Sequence, residues 1–442
     1  MLSIQGWLTV GFFGALAIKL SVAYLCLIPA LCLFWFNAYR GKLTVRISWV
    51  KLHAPLLFFA LYCGLAALLG LNPTKSLNSL ISLTFLSTTC FLIAWYVEHY
   101  GILGIITVFL GGQGIAALNA VMASGSAGVV PRIFLGEVTQ AGQFGIGLVL
   151  GFSWLSAKPK PTLSPQFSSQ VSWGGAIFLL SLLLGFFSSP STLPLFVTTL
   201  GLTIVVWCRT IFRLRSPEAK ALAFCSLWIP LIAAGLIIDL KRGPWMGAWA
   251  GIALIIAARN RRLIALFLAS SAVAAIALQP VAHRLGATFD HFFIAGGRSS
   301  IWQIGGQLIQ QFPLGIGLKN SSILRSFSYQ IPPELTHFHS NIINLVVETG
   351  VLGAALYLWW IFSICTASVK MGASTWVSAL PPLITWQVAG LVEYNIGDKE
   401  VILVVYLAIG MAYSLLAQEH PNDCPTGPQS LSFTSDSIVE SA

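Results

Sequence analysis

Five stretches of this chain run for about twenty residues with at most one charge each: Ala54 to Leu71, Leu77 to Val97, Ala221 to Leu240, Leu263 to Val281 and Ile342 to Cys365. A hydrocarbon layer ~30 Å thick takes about 20 apolar residues of helix to cross. In lipid, only a helix or a closed barrel satisfies its own backbone hydrogen bonds. Runs of this kind, separated by short polar breaks, predict an all-α fold: a polytopic transmembrane helical bundle. Composition supports the reading, because 56% of residues are hydrophobic and 9% charged, against roughly a quarter charged in ordinary soluble domains. A soluble enzyme and a nucleic-acid-binding domain are both excluded, so the formal net charge of +10 needs a topological explanation before an electrostatic one. Seven of the eight cysteines lie in or beside apolar runs without a Cys-x-x-Cys pair and read as small buried hydrophobes. The N-terminus has no basic region ahead of its first apolar stretch, so a cleaved signal peptide is not expected.

The expected spans are 7 to 18 and 20 to 38 (an irregular hairpin is an alternative), 52 to 71, 78 to 97, 101 to 123, 141 to 156, 173 to 187, 191 to 207, 221 to 239, 245 to 258, 263 to 281, 341 to 366, 376 to 392 and 401 to 417, twelve to fourteen helices. Assigned to alternating sides, fourteen Lys and Arg fall on one side and nine on the other, with Lys19 between the first two spans. The richer side is cytoplasmic by the excess of cations in short cytoplasmic loops. Four of the nine sit in one long segment, 282 to 340, which that rule counts weakly. The chain therefore divides into helices with short loops over 1–281, a large periplasmic loop over 282–340, C-terminal helices over 341–417 and a disordered cytoplasmic tail over 418–442.

The outward segment carries the residues able to do chemistry. Arg298 precedes an amphipathic run in which Ile301, Ile304, Leu308, Ile309 and Phe312 recur at helical spacing, with Ser299 or Ser300 as cap. That places Arg298 at a helix N-terminus, where free amides and the helix dipole favour an anion. The run stops at Phe312-Pro313-Leu314-Gly315-Ile316-Gly317. Then comes Thr336-His337-Phe338-His339-Ser340-Asn341, ahead of an apolar helix through Glu348-Thr349-Gly350. A histidine at a water–membrane boundary can titrate near neutral pH and move protons, or can simply hydrogen-bond. Glu348 stands nine positions beyond His339, on the opposite helical face, so the two are not expected to pair. Arg242, in Asp239-Leu240-Lys241-Arg242-Gly243-Pro244-Trp245, and Arg132, in the loop 131–137, fall on the same side. Singly, each arginine reads as a charge snorkelling at a helix end; together they suit a phosphate-bearing ligand, which guanidinium forks grip bidentately. Glu334, His337 and His339 could in principle hold a metal, but their spacing is unspecific and arginines alone can neutralise a leaving group. No metal and no cofactor are expected.

Lys-Arg-Gly-Pro-Trp (241 to 245), Gly-Arg-x-x-x-Trp (297 to 302), Phe-Pro-Leu-Gly-Ile-Gly (312 to 317), His-Ser-Asn (339 to 341) and Glu-Thr-Gly-Val-Leu-Gly (348 to 353) occur in this order. In that order and spacing the chain resembles the O-antigen ligase and Wzy-type polymerase superfamily of bacterial membrane glycosyltransferases, over roughly residues 130 to 360. It departs from the usual pattern at Ser340 and Lys241. The resemblance implies a fold of GT-C type, and a multi-pass location in the bacterial inner membrane with the active site facing the periplasm. It also implies a donor glycan carried on undecaprenyl diphosphate, and a glycan, lipid A-core or other hydroxyl acceptor. Arg242 and Arg298, and less closely Arg132, would bind the donor diphosphate. His339 would orient or deprotonate the acceptor hydroxyl, with His337 and Asn341 as further acceptor contacts. The implied reaction is metal-independent and inverting. Ligase, polymerase and protein-glycosylating variants stay open. Some chains of the superfamily have been described as bicarbonate carriers, so a polytopic solute transporter is the alternative. A carrier would need polar or broken helices near mid-membrane, and the spans hold few ionisable groups apart from Lys19 and Glu348.

Overall fold

The computed structural model describes residues 3–125, 134–157, 217–277, 279–293, 297–326, 335–370 and 373–419. Arg132, Glu334, the expected spans 173 to 187 and 191 to 207, and the tail beyond Glu419 lie outside the described residues.

Everything regular among the described residues is helical. The chain opens with α1 (Ile4–Leu16), α2 (Leu20–Tyr39) and α3 (Ile47–Leu69). It continues with α4 (Pro73–Ser87), α5 (Thr89–Tyr100), α6 (Leu103–Gly125) and α7 (Glu137–Ala157). Further on come α8 (Pro217–Ile238), α9 (Arg242–Arg259), α10 (Arg262–Ala277), α11 (Gln279–Gly286), α12 (Thr288–Phe293) and α13 (Arg298–Gln311). A 3-10 turn at Ser321–Ser326 leads to α14 (Asn341–Lys370), α15 (Ala373–Ala389) and α16 (Lys399–Glu419). Among the described residues, six helical segments are long and apolar enough to cross a bilayer: Leu20–Tyr39, Ile47–Leu69, Pro73–Tyr100, Leu103–Ser124, Asn341–Lys370 and Lys399–Ala417. The protein is a polytopic all-α membrane protein. Two expected spans differ in detail. The segment expected as one helix from 78 to 97 is two, because Ser87 and Thr88 turn their hydroxyls back onto the carbonyls of Thr84 and Phe85 at 2.7 Å and loosen the backbone ladder between α4 and α5. The segment expected from 263 to 281 ends earlier, and Gln279 already belongs to the next short helix.

Burial sorts the helices. Of the apolar window of α16, 89% is buried, against 28% for α2, so α16 is the axis of the bundle and α2 its rim. Large apolar side chains such as Leu25 (73% exposed) and Phe362 (67% exposed) cover the outside. Contiguous apolar exposure on this scale marks a lipid-facing surface. Because lipid is as apolar as leucine, helices are held together here by close packing and not by escape from water. The contact of α9 with α15 illustrates it. Gly243, Gly247 and Gly251 recur every fourth residue, and a Cβ on Gly247 would lie 3.0 Å from the Ala389 Cβ with the Thr385 carbonyl closer still. This stripe brings the start of α9 against the end of α15, where the site lies.

Candidate active site

Two arginines each begin a helix. Arg242 is the first residue of α9 and Arg298 the first of α13. The cap of α13 is Gly297, with no side-chain hydrogen bond; Ser299 and Ser300, expected as caps, lie inside the first turn. A serine cap would take one of the free helical amides. With glycine there, those amides stay available beside the Arg298 guanidinium.

Sequence reasoning missed the residue that joins the cluster, Glu393, in the turn after α15. Arg298 donates from Nη2 to Glu393 Oε1 at 3.4 Å, and His339 Nδ1 stands 3.8 Å from Glu393 Oε2. Gly243 lets the carboxylate in, since a Cβ there would come within 2.5 Å of Glu393 Cγ. Arg242 belongs to the same field. Burial lowers its pKa, the neighbouring Arg284 and Arg298 guanidiniums lower it further, and Glu393 opposes them. Its guanidinium donates to the carbonyls of Arg284 at 3.1 Å and Ala287 at 3.4 Å. Arg284 returns a hydrogen bond to the Leu240 carbonyl at 3.1 Å, a crossed pair that ties the turn before α9 to the end of α11. Lys241 pairs with Glu137 at 3.3 Å and fixes α9 to the start of α7. Arg298 pairs with Glu393, Arg242 feels both that carboxylate and the Arg284 and Arg298 guanidiniums, and the surplus positive charge suits an anion.

The loop that carries His339 is bolted at both ends. Phe338 is fully buried; its amide donates to Asn344 Oδ1 at 3.2 Å, and its carbonyl accepts from Trp302 Nε1 at 2.9 Å. On the far side, the Asn341 amide donates to the Gly390 carbonyl at 2.7 Å, and Asn341 Oδ1 accepts from the amides of Asn395 at 2.8 Å and Ile396 at 3.1 Å. Its side-chain nitrogen donates to Asn395 Oδ1 at 2.5 Å, so Asn341 holds the turn bearing Glu393. His339 itself has φ 48°, a left-handed conformation that costs a non-glycine residue on the order of 1–3 kcal/mol. The Nδ1 of His339 is buried without a hydrogen-bond partner. Its ring meets that of His337 edge-on at 4.6 Å, and His337 stacks on Tyr394 at 5.3 Å. Burial and the neighbouring His339 and Lys319 push His337 down to about 4, against a raising influence of Glu393. His337 is therefore a neutral hydrogen-bonding ring at neutral pH.

The two glycine-bearing motifs form the floor. Gly350 breaks α14 with φ 66° and ψ 175°, which strips the helical donors from the carbonyls before it. The Val347 and Glu348 carbonyls accept instead from the amides of Ile316 and Gly317, both at 2.9 Å. Gly315 and Gly317, at φ 94° and 92°, give the loop the curvature to reach them. A Cβ on Gly315 would sit 2.5 Å from the Glu348 carbonyl oxygen. The Glu348 carboxylate accepts from the Ser321 hydroxyl at 2.6 Å.

Arg242, Arg298, His337, His339 and Asn341 therefore come together, with Glu393 and Arg284 added, while Arg132 lies outside the described residues. In the sequence Glu393 is a lone carboxylate straight after an apolar span, which by itself reads as an interfacial charge. No curated protein matches the chain. Residues 226–358 match the family model described as O-antigen ligase, a stretch that includes Arg242, Arg298 and His339 and stops short of Glu393.

Proposed function

We propose that this membrane protein of the glycosyltransferase type transfers or polymerises a glycan from an undecaprenyl-diphosphate donor at the periplasmic face of the bacterial inner membrane. The observation that carries the reading is the sharing of Glu393 between Arg298 and His339, with Arg242 beside them. A phosphate-gripping guanidinium and a proton-accepting imidazole are held within one carboxylate's span. Arg242 and Arg298 hold the donor diphosphate, with Arg132 as a further candidate. His339 takes the proton of an acceptor hydroxyl on a glycan, lipid A-core or similar molecule. The acceptor oxygen bonds to the anomeric carbon as the bond from that carbon to the diphosphate oxygen breaks, with inversion. The departing negative charge is spread over guanidiniums already in place, which lowers the barrier without reorganisation. Glu393 steadies the imidazolium that forms, and neutral His337 hydrogen-bonds the acceptor. No step calls for a metal.

The test is glycan transfer from a lipid-linked donor by purified protein in the presence of a chelator, comparing wild type with Arg298→Ala and His339→Ala. Transfer by wild type and its loss in both variants, each retaining the wild-type melting transition, is the expected result. Variants that transfer at the wild-type rate overturn the assignment, and so does cysteine labelling that puts position 242 or 298 on the cytoplasmic side.

A further inference from the structure

Away from the arginine and histidine cluster, a cavity of about 740 Å³ opens between the start of α4, the start of α16 and the loop ahead of it. That is the size of a pocket for a ligand of several hundred daltons. Its wall is graded. Three ammonium groups line it, Lys75, Lys319 and Lys399. Beside them stand amide and hydroxyl groups, Asn72, Asn78, Ser79 and Ser82, and the remaining wall includes Leu83, Leu86, Ile402 and Tyr406. No Asp or Glu lines it.

Two of the lysines donate to neutral groups. Lys319 donates to the Gly397 carbonyl at 2.9 Å and lies 5.2 Å from the centre of the Tyr394 ring. Lys75 donates to the Ser322 hydroxyl at 3.4 Å. The nearby carboxylates take their hydrogen bonds elsewhere. Asp398 accepts from the Thr139 hydroxyl at 2.6 Å and from the amides of Glu400 and Val401, and Glu348 accepts from Ser321. Lys319 is further held in a left-handed backbone conformation, φ 63°, so its ammonium is directed by the fold. Burial lowers its pKa most, the carboxylates of Glu348 and Asp398 oppose that, and Lys399 and Lys75 lower it again. The cavity also receives the start of α4, whose amides add a favourable field for an anion. An aqueous pore would not need the leucines, and a hydrocarbon slot would not need the lysines.

We infer that this chamber is a second binding site, for a phosphate-bearing lipid, with the phosphate among Lys75, Lys319 and Lys399, hydroxyl-bearing groups of the headgroup against Asn78, Ser79 and Ser82, and hydrocarbon along Leu83 and Ile402. It is distinct from the Arg242–Arg298 cluster and does not depend on the reaction proposed there. A smaller cavity of about 60 Å³ shares Lys319, Ile396 and Gly397 with the chamber and is walled also by Glu348 and Tyr394; it has room for a few waters and not for a headgroup.

The experiment is lipid binding by the purified full-length protein, counted by native mass spectrometry. The probes are phosphatidylglycerol, an acylated disaccharide bisphosphate, phosphatidylcholine and inorganic phosphate. Either anionic lipid is expected to bind at least about tenfold more tightly than phosphatidylcholine, and the tighter of the two identifies the source of the phosphate. Lys75→Gln/Lys399→Gln, two exposed positions, should lose about tenfold. Ser82→Trp should lose as much with all three lysines in place, by filling the chamber. Wild-type binding by both the lysine and tryptophan variants overturns the site. Inorganic phosphate binding as tightly as either lipid overturns the hydrocarbon half of the assignment. Because no transfer is measured, failure here leaves the catalytic reading standing, and failure of that reading leaves the chamber.

Discussion

Two histidines in this protein are ringed by polar groups and treated in opposite ways. His53, in α3, is 2% exposed, and both ring nitrogens are engaged, Nδ1 within 3.2 Å of the Tyr413 hydroxyl and Nε2 within 3.1 Å of the Ser87 hydroxyl. Tyr413 in turn takes the Trp49 indole on its carbonyl at 3.0 Å. His339 has a side chain 31% exposed, a left-handed backbone and a buried Nδ1 that stops just short of a carboxylate. A polar group buried in a membrane bundle is either closed off by partners, in which case it fixes the packing, or left incomplete next to an opening, in which case something else is meant to complete it. His53 belongs to the first kind and His339 to the second.

The largest effect that can break this contrast is a double dissociation. Arg298→Ala and His339→Ala should each lower glycan transfer by on the order of 10³-fold, as loss of a donor or base at a reacting centre does. Their melting should move little, because a partly exposed ion pair is worth about 1 kcal/mol or less. His53→Ala should do the reverse, with about 2–3 kcal/mol of stability lost through the emptied ring volume and the missing hydrogen bonds to the Ser87 and Tyr413 hydroxyls. Its transfer per folded molecule should stay within about twofold of wild type, since deletion of a satisfied core group acts on the folded fraction. Activity and thermal unfolding on the same preparations check both halves. If His53→Ala melted normally and lost turnover, the division between the two histidines would be wrong.

Gly350→Ala probes what the open site rests on. The substitution forces a side chain into φ 66° and places its Cβ 2.5 Å from the Pro313 carbonyl oxygen, at a cost of about 3 kcal/mol. Melting and transfer should fall together, because the Ile316 and Gly317 hydrogen bonds go with the kink. Gly136→Ala, where nothing lies within 4 Å of the added Cβ, should change neither. Transfer that survives in Gly350→Ala would mean that the motif serves the fold alone.

Much of this was legible in the sequence. Apolar runs about 20 residues long have one physical solution in lipid, so the all-α bundle was legible, with the break at Ser87 and Thr88 unforeseen, and the spacing of Ile301 and Leu308 set out the buried face of α13. Arg242, Arg298 and His339 were visible because glycines and a proline break the apolar pattern around them. The rest depended on tertiary contact. Glu393 acts through residues that precede it by 54 and 95 positions, and nothing local distinguishes it from an interfacial charge. Asn341 looked like an acceptor contact and is found with its carbonyl oxygen and amide on the turn that bears Glu393. The lysine chamber gathers residues 75, 319 and 399, each ordinary at a helix end by itself.

Glu393→Gln should have a smaller effect, about tenfold on turnover, comparable to loss of a group that orients a reacting residue. The two kinetic constants should part. The amide no longer steadies a protonated His339, so kcat falls, whereas Arg298 loses a competitor for phosphate, so KM for the donor stays level or drops. A raised KM with unchanged kcat would show that Glu393 serves the arginine and not the histidine.

The smallest effect is on pH dependence, at His337. With its folded pKa pushed down to about 4 and an unfolded value near 6.5, the unfolded chain binds a proton between those limits and the folded one does not. Stability is therefore fully present above about pH 6.5 and is lost as pH falls toward 4. With allowance for partial exposure, the loss between pH 7 and pH 5 is about 1 kcal/mol. His337→Phe should remove it, so that the variant melts at more nearly the same temperature at pH 5 and pH 7 than the wild type does. An undiminished acid sensitivity in the variant would place the titrating group elsewhere. It would also remove the reason for treating His337 as a neutral hydrogen-bonding neighbour of His339.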